Sequence, residues 1–138
     1  MTTFPERLET ILSQTPERVA VYLQISGRED LPLSYEQLVR GASMHARRLE
    51  REGIQPGEVT VLILQHGEDL VYAFWGAILH GAIPSIMPFL TEKLSPERYR
   101  ADLAALIAVT KPAAVITYPE FETEVRAALR EEHSVRWV

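Results

Sequence analysis

An α/β fold, layered around a mostly parallel sheet with flanking helices and preceded by an N-terminal helix and a small β-hairpin, is what these 138 residues predict. Three observations carry the prediction. Residues 59–64, Val-Thr-Val-Leu-Ile-Leu, form an uninterrupted apolar run, short and rich in β-branched side chains, which is the pattern of a strand buried on both faces. Leu70, Val71, Phe74, Trp75, Ile78 and Leu79 then recur at helical spacing, a wide apolar face that asks for burial nearly all round. Beyond them, short apolar runs alternate with helical patterns to residue 138, each crossover long enough for right-handed parallel pairing.

Taken in order, Phe4-Pro5-Glu6-Arg7 leads into Leu8, Ile11 and Leu12, a short amphipathic helix ending near Gln14 and stopped by Thr15-Pro16. Val19, Val21, Leu23 and Ile25 alternate with Ala20, Tyr22 and Gln24, a strand with one strongly apolar face. Turn residues 26–30 and the extended Leu31-Pro32-Leu33 complete a hairpin. Ser34 with Gln37 three residues on has the spacing of a capping box, in which hydroxyl and amide each satisfy a backbone N–H of the other's residue. The helix that starts there buries Leu38, Ala42, Ala46 and Leu49, wets Arg40, Arg47, Glu50 and Arg51, and stops at Gly53.

The strand at 59–64, the loop at 65–69 and the helix up to Gly81 follow, and Ile83-Pro84-Ser85-Ile86-Met87-Pro88 reads as a second buried strand. Ser95-Pro96-Glu97 supplies a cap, a proline at the first helical position and an acid in the first turn. That helix turns Tyr99, Leu103, Leu106 and Ile107 inward and ends at Lys111-Pro112. Residues 113–117 form another short buried strand, 120–132 repeat the helical pattern with Phe121, Val125, Ala128 and Leu129, and 135–138 are extended.

The length suits one domain, and no repeat, low-complexity tract or linker divides it. A formal net charge of −5, with Lys and Arg scattered among the acids, offers no basic stripe for nucleic acid or an anionic membrane. With no cysteine there is neither a disulfide framework nor a thiolate metal site, and no charged-then-apolar leader opens the chain; a cytoplasmic setting is the expectation. Residues 70–90 carry no Asp, Glu, Lys or Arg and are long enough to span a bilayer, but Pro84, Pro88, His80 and Gly81 break that pattern, so a buried helix followed by a strand is the better reading.

A search for chemistry along this scaffold returns little. There is no Gly-x-Gly-x-x-Gly and no Gly-x-Ser-x-Gly, and Gly76 and Gly81, offset like a Walker loop, sit in and at the end of an apolar helix, where they read as packing and termination. Of the histidines, His45, His66, His80 and His133, none has metal-motif spacing. His66 stands just past the carboxyl end of a strand, where open α/β sheets gather ligands, but no nucleophile or paired base accompanies it, which favours a plain loop residue. Glu68-Asp69 suits the start of the next helix through its macrodipole, and the mixed charges at 47–52 and 120–132 read as solvated helix faces.

Four segments, in order and spacing, carry a resemblance. Leu33-Ser34-Tyr35-Glu36-Gln37-Leu38 resembles the Leu-(Thr/Ser)-Tyr-x-(Glu/Gln)-Leu signature of the adenylate-forming superfamily, which includes acyl-CoA synthetases, fatty acyl-AMP ligases and the adenylation domains of nonribosomal peptide synthetases. Residues 53–61, Gly-Ile-Gln-Pro-Gly-Glu-Val-Thr-Val, resemble its Gly-(Val/Ile)-x-x-Gly-Asp-x-Val turn. Residues 74–85, Phe-Trp-Gly-Ala-Ile-Leu-His-Gly-Ala-Ile-Pro-Ser, resemble its helix ending in Gly-Ala before a proline-bearing strand. Residues 111–117, Lys-Pro-Ala-Ala-Val-Ile-Thr, resemble its Lys/Arg-Pro before a strand. Glu58 replaces the commoner Asp, and residues 84–88 lack the Tyr-Val-Pro-Leu-Asp pattern of amino-acid-activating domains, a lean toward acyl or aryl carboxylates.

The resemblance implies the N-terminal subdomain of such an enzyme, with residues 1–58 as helix, hairpin and helix and 59–138 as a βαβαβαβ unit. Enzymes of this kind use ATP and Mg²⁺ to turn a carboxylate into an acyl-adenylate and pass it to CoA or a carrier-protein thiol, but the family's phosphate loop, metal acid, ribose Asp and C-terminal Lys match nothing in this sequence. The chain alone is thus expected to hold no catalytic, cofactor-binding or metal residues, to be inactive by itself, to partner the remainder of the enzyme, and to self-associate through exposed apolar surface. Left open are a stand-alone, non-catalytic α/β interaction module, a fragment of an amino-acid-activating domain, and a flavodoxin-like or receiver-like binding domain.

Overall fold

The computed structural model describes residues 1–129 and 136–137. Helix α1 (Phe4–Gln14) is entered through a capping box in which Thr3 N–H donates to Glu6 Oε2 at 2.6 Å, an acid at the third helical position as the motif requires. Strands β1 (Val19–Leu23) and β2 (Leu31–Ser34) pair antiparallel as the hairpin, with a register shift between Val19 and Val21. That irregularity breaks the alternation, and β1 ends at Leu23, short of the expected Ile25. Helix α2 (Tyr35–Arg51) begins at the predicted box: Gln37 N–H donates to Ser34 Oγ at 3.2 Å and Ser34 N–H to Gln37 Oε1 at 2.8 Å.

The main sheet holds β3 (Val59–Ile63), β4 (Ile83–Ile86), β5 (Ala114–Thr117) and the two-residue β6 (Arg136–Trp137), all parallel, in the order β4-β3-β5-β6. Between them run α3 (Glu68–His80), α4 (Pro96–Thr110) and α5 (Pro119–Ala128). Alternate residues of β3 divide the core in two. Leu62 joins Leu64, Leu49, Ala73, Ala77 and Ile116 beneath α2 and α3, whereas Val61 and Ile63 join Tyr99, Leu103, Ile107, Val115 and Val125 beneath α4 and α5. The chain steps from β3 to β4 with α3 on one face, then reverses toward β5 and β6 with α4 and α5 on the other; a reversal of direction with a change of face keeps one crossover hand.

Three sequence expectations need correction. Residues 83–88 are not a buried strand: β4 is the sheet's edge, and Ile83 and Ile86 are 52% and 53% exposed. The large side chains of α3 are only partly covered, and the residues it buries fully are the small Ala73, Gly76 and Ala77. They are buried because α2 lies directly against them: a Cβ on Gly76 would stand 2.5 Å from His45 Cβ and 2.7 Å from the Ala42 carbonyl oxygen. Trp75 turns instead toward α1 and stacks on Phe4 with ring centroids 4.9 Å apart. Helix α5 ends at Ala128, whereas 132 was expected; residues 130–135 and 138 lie outside the described part. Gly76 is thus a packing residue and Gly81, at φ 88°, a left-handed helix stop, as the sequence indicates.

Candidate functional site

Strands β3 and β5 lie side by side although β4 separates them in sequence, which makes the gap beyond their carboxyl ends the topological switch point of the sheet. A cleft of about 560 Å³ opens there, within the range of small-molecule sites. Leu64 and Ile116, continuing the two strands, form its apolar floor. One wall is the outer face of α2, with Met44, His45 and Arg48; the other is Asp69 at the start of α3 with Tyr118, Pro119 and Glu122 where β5 passes into α5. Beside it, a hollow of about 390 Å³ is lined by Met44, His45, Arg47, Arg48 and Arg51.

The two walls differ electrically. Tyr118 Oη donates to Asp69 Oδ2 at 3.3 Å, and burial, reinforced by the Asp69 charge, raises the phenol above its ordinary value. Glu122 pairs with Arg126 at 2.6 Å. On α2, Arg47, Arg48 and Arg51 make no ion pair among the described residues. Half-buried His45 has a fully enclosed Nδ1 with no hydrogen-bond partner among the described residues. Burial first, and the Arg48 charge second, lower its pKa from 6.5, against an opposing pull from Asp69, so the ring is neutral at pH 7.

His66 stays out of the cleft. It is exposed, and its Nε2–H donates to the Gln24 carbonyl at 3.0 Å, tying the loop after β3 to the residue after β1. His80 is likewise occupied, donating from Nε2 to the Ile54 carbonyl at 2.6 Å, and His133 lies outside the described residues. Glu68 and Asp69 occupy the first turn of α3 as expected, but Asp69 also lines the cleft. Of the cleft residues, sequence reasoning weighs His45 only for metal spacing, reads Arg48 as part of a solvated helix face and does not single out Tyr118. One signal was present: Arg40, Met44, Arg47, Arg48 and Arg51 recur along one side of a helix whose opposite side is buried.

The donor set of the cleft does not suit a magnesium-bound nucleotide. Its two carboxylates are engaged by Tyr118 and Arg126, and no group of three or more His, Asp or Glu side chains among the described residues could hold a metal ion. Nor is any described helix long and apolar enough to cross a membrane.

Residues 8–138 match the family model of AMP-binding enzymes. The chain belongs to that family. Among curated proteins, an uncharacterized protein of Schizosaccharomyces pombe is 28% identical over 137 residues, which are 95% of this chain and 9% of that protein. Among solved structures, a fatty acyl-adenylate ligase from L. pneumophila in complex with acyl adenylate and pyrophosphate superimposes with a TM-score of 0.75 at 19% identity, covering 100% of this chain and 23% of that one. A benzoate CoA ligase from Burkholderia xenovorans gives 0.72 at 23% identity, covering 99% and 25%. The adenylation domain of a keto acid-selecting NRPS module, bound to keto acyl adenylate, gives 0.74 at 17% identity, again covering 99% and 25%. The α/β fold is therefore that of adenylate-forming ligases, and this chain spans about a quarter or less of these three structures and of the curated relative.

Proposed function

We propose that these residues form the N-terminal scaffold subdomain, residues 1–138, of an ATP-dependent carboxylate-activating ligase, and that they are inactive by themselves. The family match that runs from residue 8 to residue 138 carries the reading. In the whole enzyme, ATP and Mg²⁺ serve to convert an acyl or aryl carboxylate to an acyl-adenylate, which passes to CoA or to a carrier-protein thiol. The acid class is favoured by the absence of the Tyr-Val-Pro-Leu-Asp pattern at residues 84–88.

On this reading no catalytic, nucleotide-binding or metal-binding side chain lies in these residues. Adenylation needs fixed cations against the departing pyrophosphate, whereas the arginines beside the cleft, Arg47, Arg48 and Arg51, stand exposed on α2, and no cluster that could hold a metal ion occurs among the described residues. The sheet and its helices support the acyl and nucleotide pocket from behind, in the cytoplasm, and partner the remainder of the enzyme. The exposed Ile83 and Ile86 on the β4 edge are the surface through which the 138 residues alone would self-associate. ATP–pyrophosphate exchange tests this. The 138-residue chain should show none with octanoate, benzoate or any amino acid, while the full-length protein exchanges with a carboxylic acid. Exchange by the 138-residue chain would refute the scaffold role, and a full-length protein that exchanges only with amino acids would refute the substrate class.

A further inference from the structure

The cleft at the switch point and the hollow beside it share Met44, His45 and Arg48, so they are one continuous surface with two chemistries. Its floor is aliphatic, with Leu64 and Ile116, and its rim is cationic. Arg47, Arg48 and Arg51 line one hollow within about a turn of α2 and form no ion pair among the described residues, in a chain whose net charge is −5. Three guanidinium groups that line one hollow repel one another, and an anion held there relieves that repulsion while receiving charge-assisted hydrogen bonds. The acids that also line the cleft stand on the opposite wall and are already engaged, Asp69 by Tyr118 and Glu122 by Arg126. They leave the cationic α2 end to receive the anionic pole of any ligand. Met44, 66% exposed between the two regions, is an apolar contact in the middle of a charged helix face.

We propose that this surface is a binding site for an amphipathic organic anion, with a short apolar tail over Leu64, Met44 and Ile116 and a carboxylate or phosphate monoester held by Arg47, Arg48 and Arg51. The assignment stands on the cleft's own geometry and does not depend on the ligase reading. A nucleic-acid strand is a poor alternative, since the cationic surface is a single cluster on an acidic chain and not a track.

These 138 residues hold three methionines, Met1, Met44 and Met87; in the methyl-labelled methionine spectrum the Met44 signal, assigned by its loss in Met44→Leu, is the reporter inside the site, and Met1 and Met87 are reporters outside it. Full-length protein is titrated with octanoate, octyl phosphate and octanol. At least one of the two anions should shift the Met44 methyl saturably without moving Met1, the tighter one identifying the headgroup, and octanol should not saturate the signal. The exposed double variant Arg48→Ala/Arg51→Ala should weaken the anion by about tenfold or more, the order expected for lost charge-assisted hydrogen bonds. Arg48→Lys/Arg51→Lys should keep more of the affinity. A Met44 methyl that ignores both anions, an octanol response equal to theirs, or alanine variants that bind normally would each overturn the proposal. Because the readout is local and needs no turnover, a protein that binds here without pyrophosphate exchange would count against the ligase reading alone.

Discussion

Substituting Gly76→Ala tests the central packing feature of this fold, the seam between α2 and α3. The added methyl would meet His45 Cβ at 2.5 Å, the Ala42 carbonyl oxygen at 2.7 Å and the Ala46 nitrogen at 3.2 Å. Two of those atoms are backbone and cannot swing aside, so α2 must retreat by about 0.9 Å to restore ordinary contact. Overpacking of this kind costs about 1–3 kcal/mol, and the rigid neighbours place it toward the upper end. Against it, alanine improves the intrinsic stability of a helix interior by about 1 kcal/mol over glycine. The net expectation is a loss of about 1–2 kcal/mol, read as a lower denaturant midpoint at unchanged slope, with the melting temperature falling by about 3–5 °C per kcal/mol in a chain of this size. Ala105→Gly, at an exposed position of α4, calibrates the propensity difference alone. A Gly76→Ala protein as stable as the parent or more so would refute the reasoning, because the seam would then have slack enough for propensity to win.

Two further outcomes follow from buried polar atoms. Thr60 is 0% exposed in the central strand β3, and its Oγ1 has no partner among the described residues, so Thr60→Val should stabilise the protein by about 1 kcal/mol in the same denaturation assay; a loss of stability would mean that the hydroxyl is satisfied in solution. His45 has a folded-state pKa below its ordinary 6.5, so the unfolded chain binds the extra proton first as pH drops. Its contribution is complete above pH 6.5 and is lost as pH falls toward the lowered folded value. The fall in unfolding free energy across that window should therefore be steeper in the parent than in His45→Gln, and parallel curves would contradict the assigned environment.

The features legible in the sequence are those encoded within a few residues of themselves. The Ser34 and Gln37 pair, the Ser95-Pro96 start of α4 and the left-handed stop at Gly81 each satisfy backbone groups that any helix end leaves open, so three or four letters specify them. Strand β3 is legible for a related reason, since a strand buried on both faces reads as a near-continuous apolar run, interrupted here only by Thr60. The α2–α3 seam was not. A periodicity reading weights large apolar side chains and assigns Phe74, Trp75 and Ile78 to the core; of the small residues through which the helices approach, it picks out Ala42 and Gly76 but not Gly41, Ala73 and Ala77. Strand β4 failed for want of topology, because being at an edge depends on the order in which strands pair and not on any of its own four residues.

The cleft lies beyond local reading for both reasons at once. Its α2 wall comes from residues 44–48, its floor from Leu64 and Ile116, and its far wall from residues 69 and 117–122, and only the reversal from β4 to β5 makes these neighbours. His66, the residue with the best claim from position along the chain, follows β3 but is drawn off by the Gln24 carbonyl toward the hairpin. His45 has no such claim in the sequence, yet the close seam that Gly76 permits carries its Cβ against α3 and its ring to the cleft. The small residues of the seam are thus the ones that place α2, and with it Arg47, Arg48 and Arg51, over the switch point. A seam opened by Gly76→Ala should accordingly displace the α2 wall of the cleft as well as lower stability, which couples the packing test to the anion titration read at Met44.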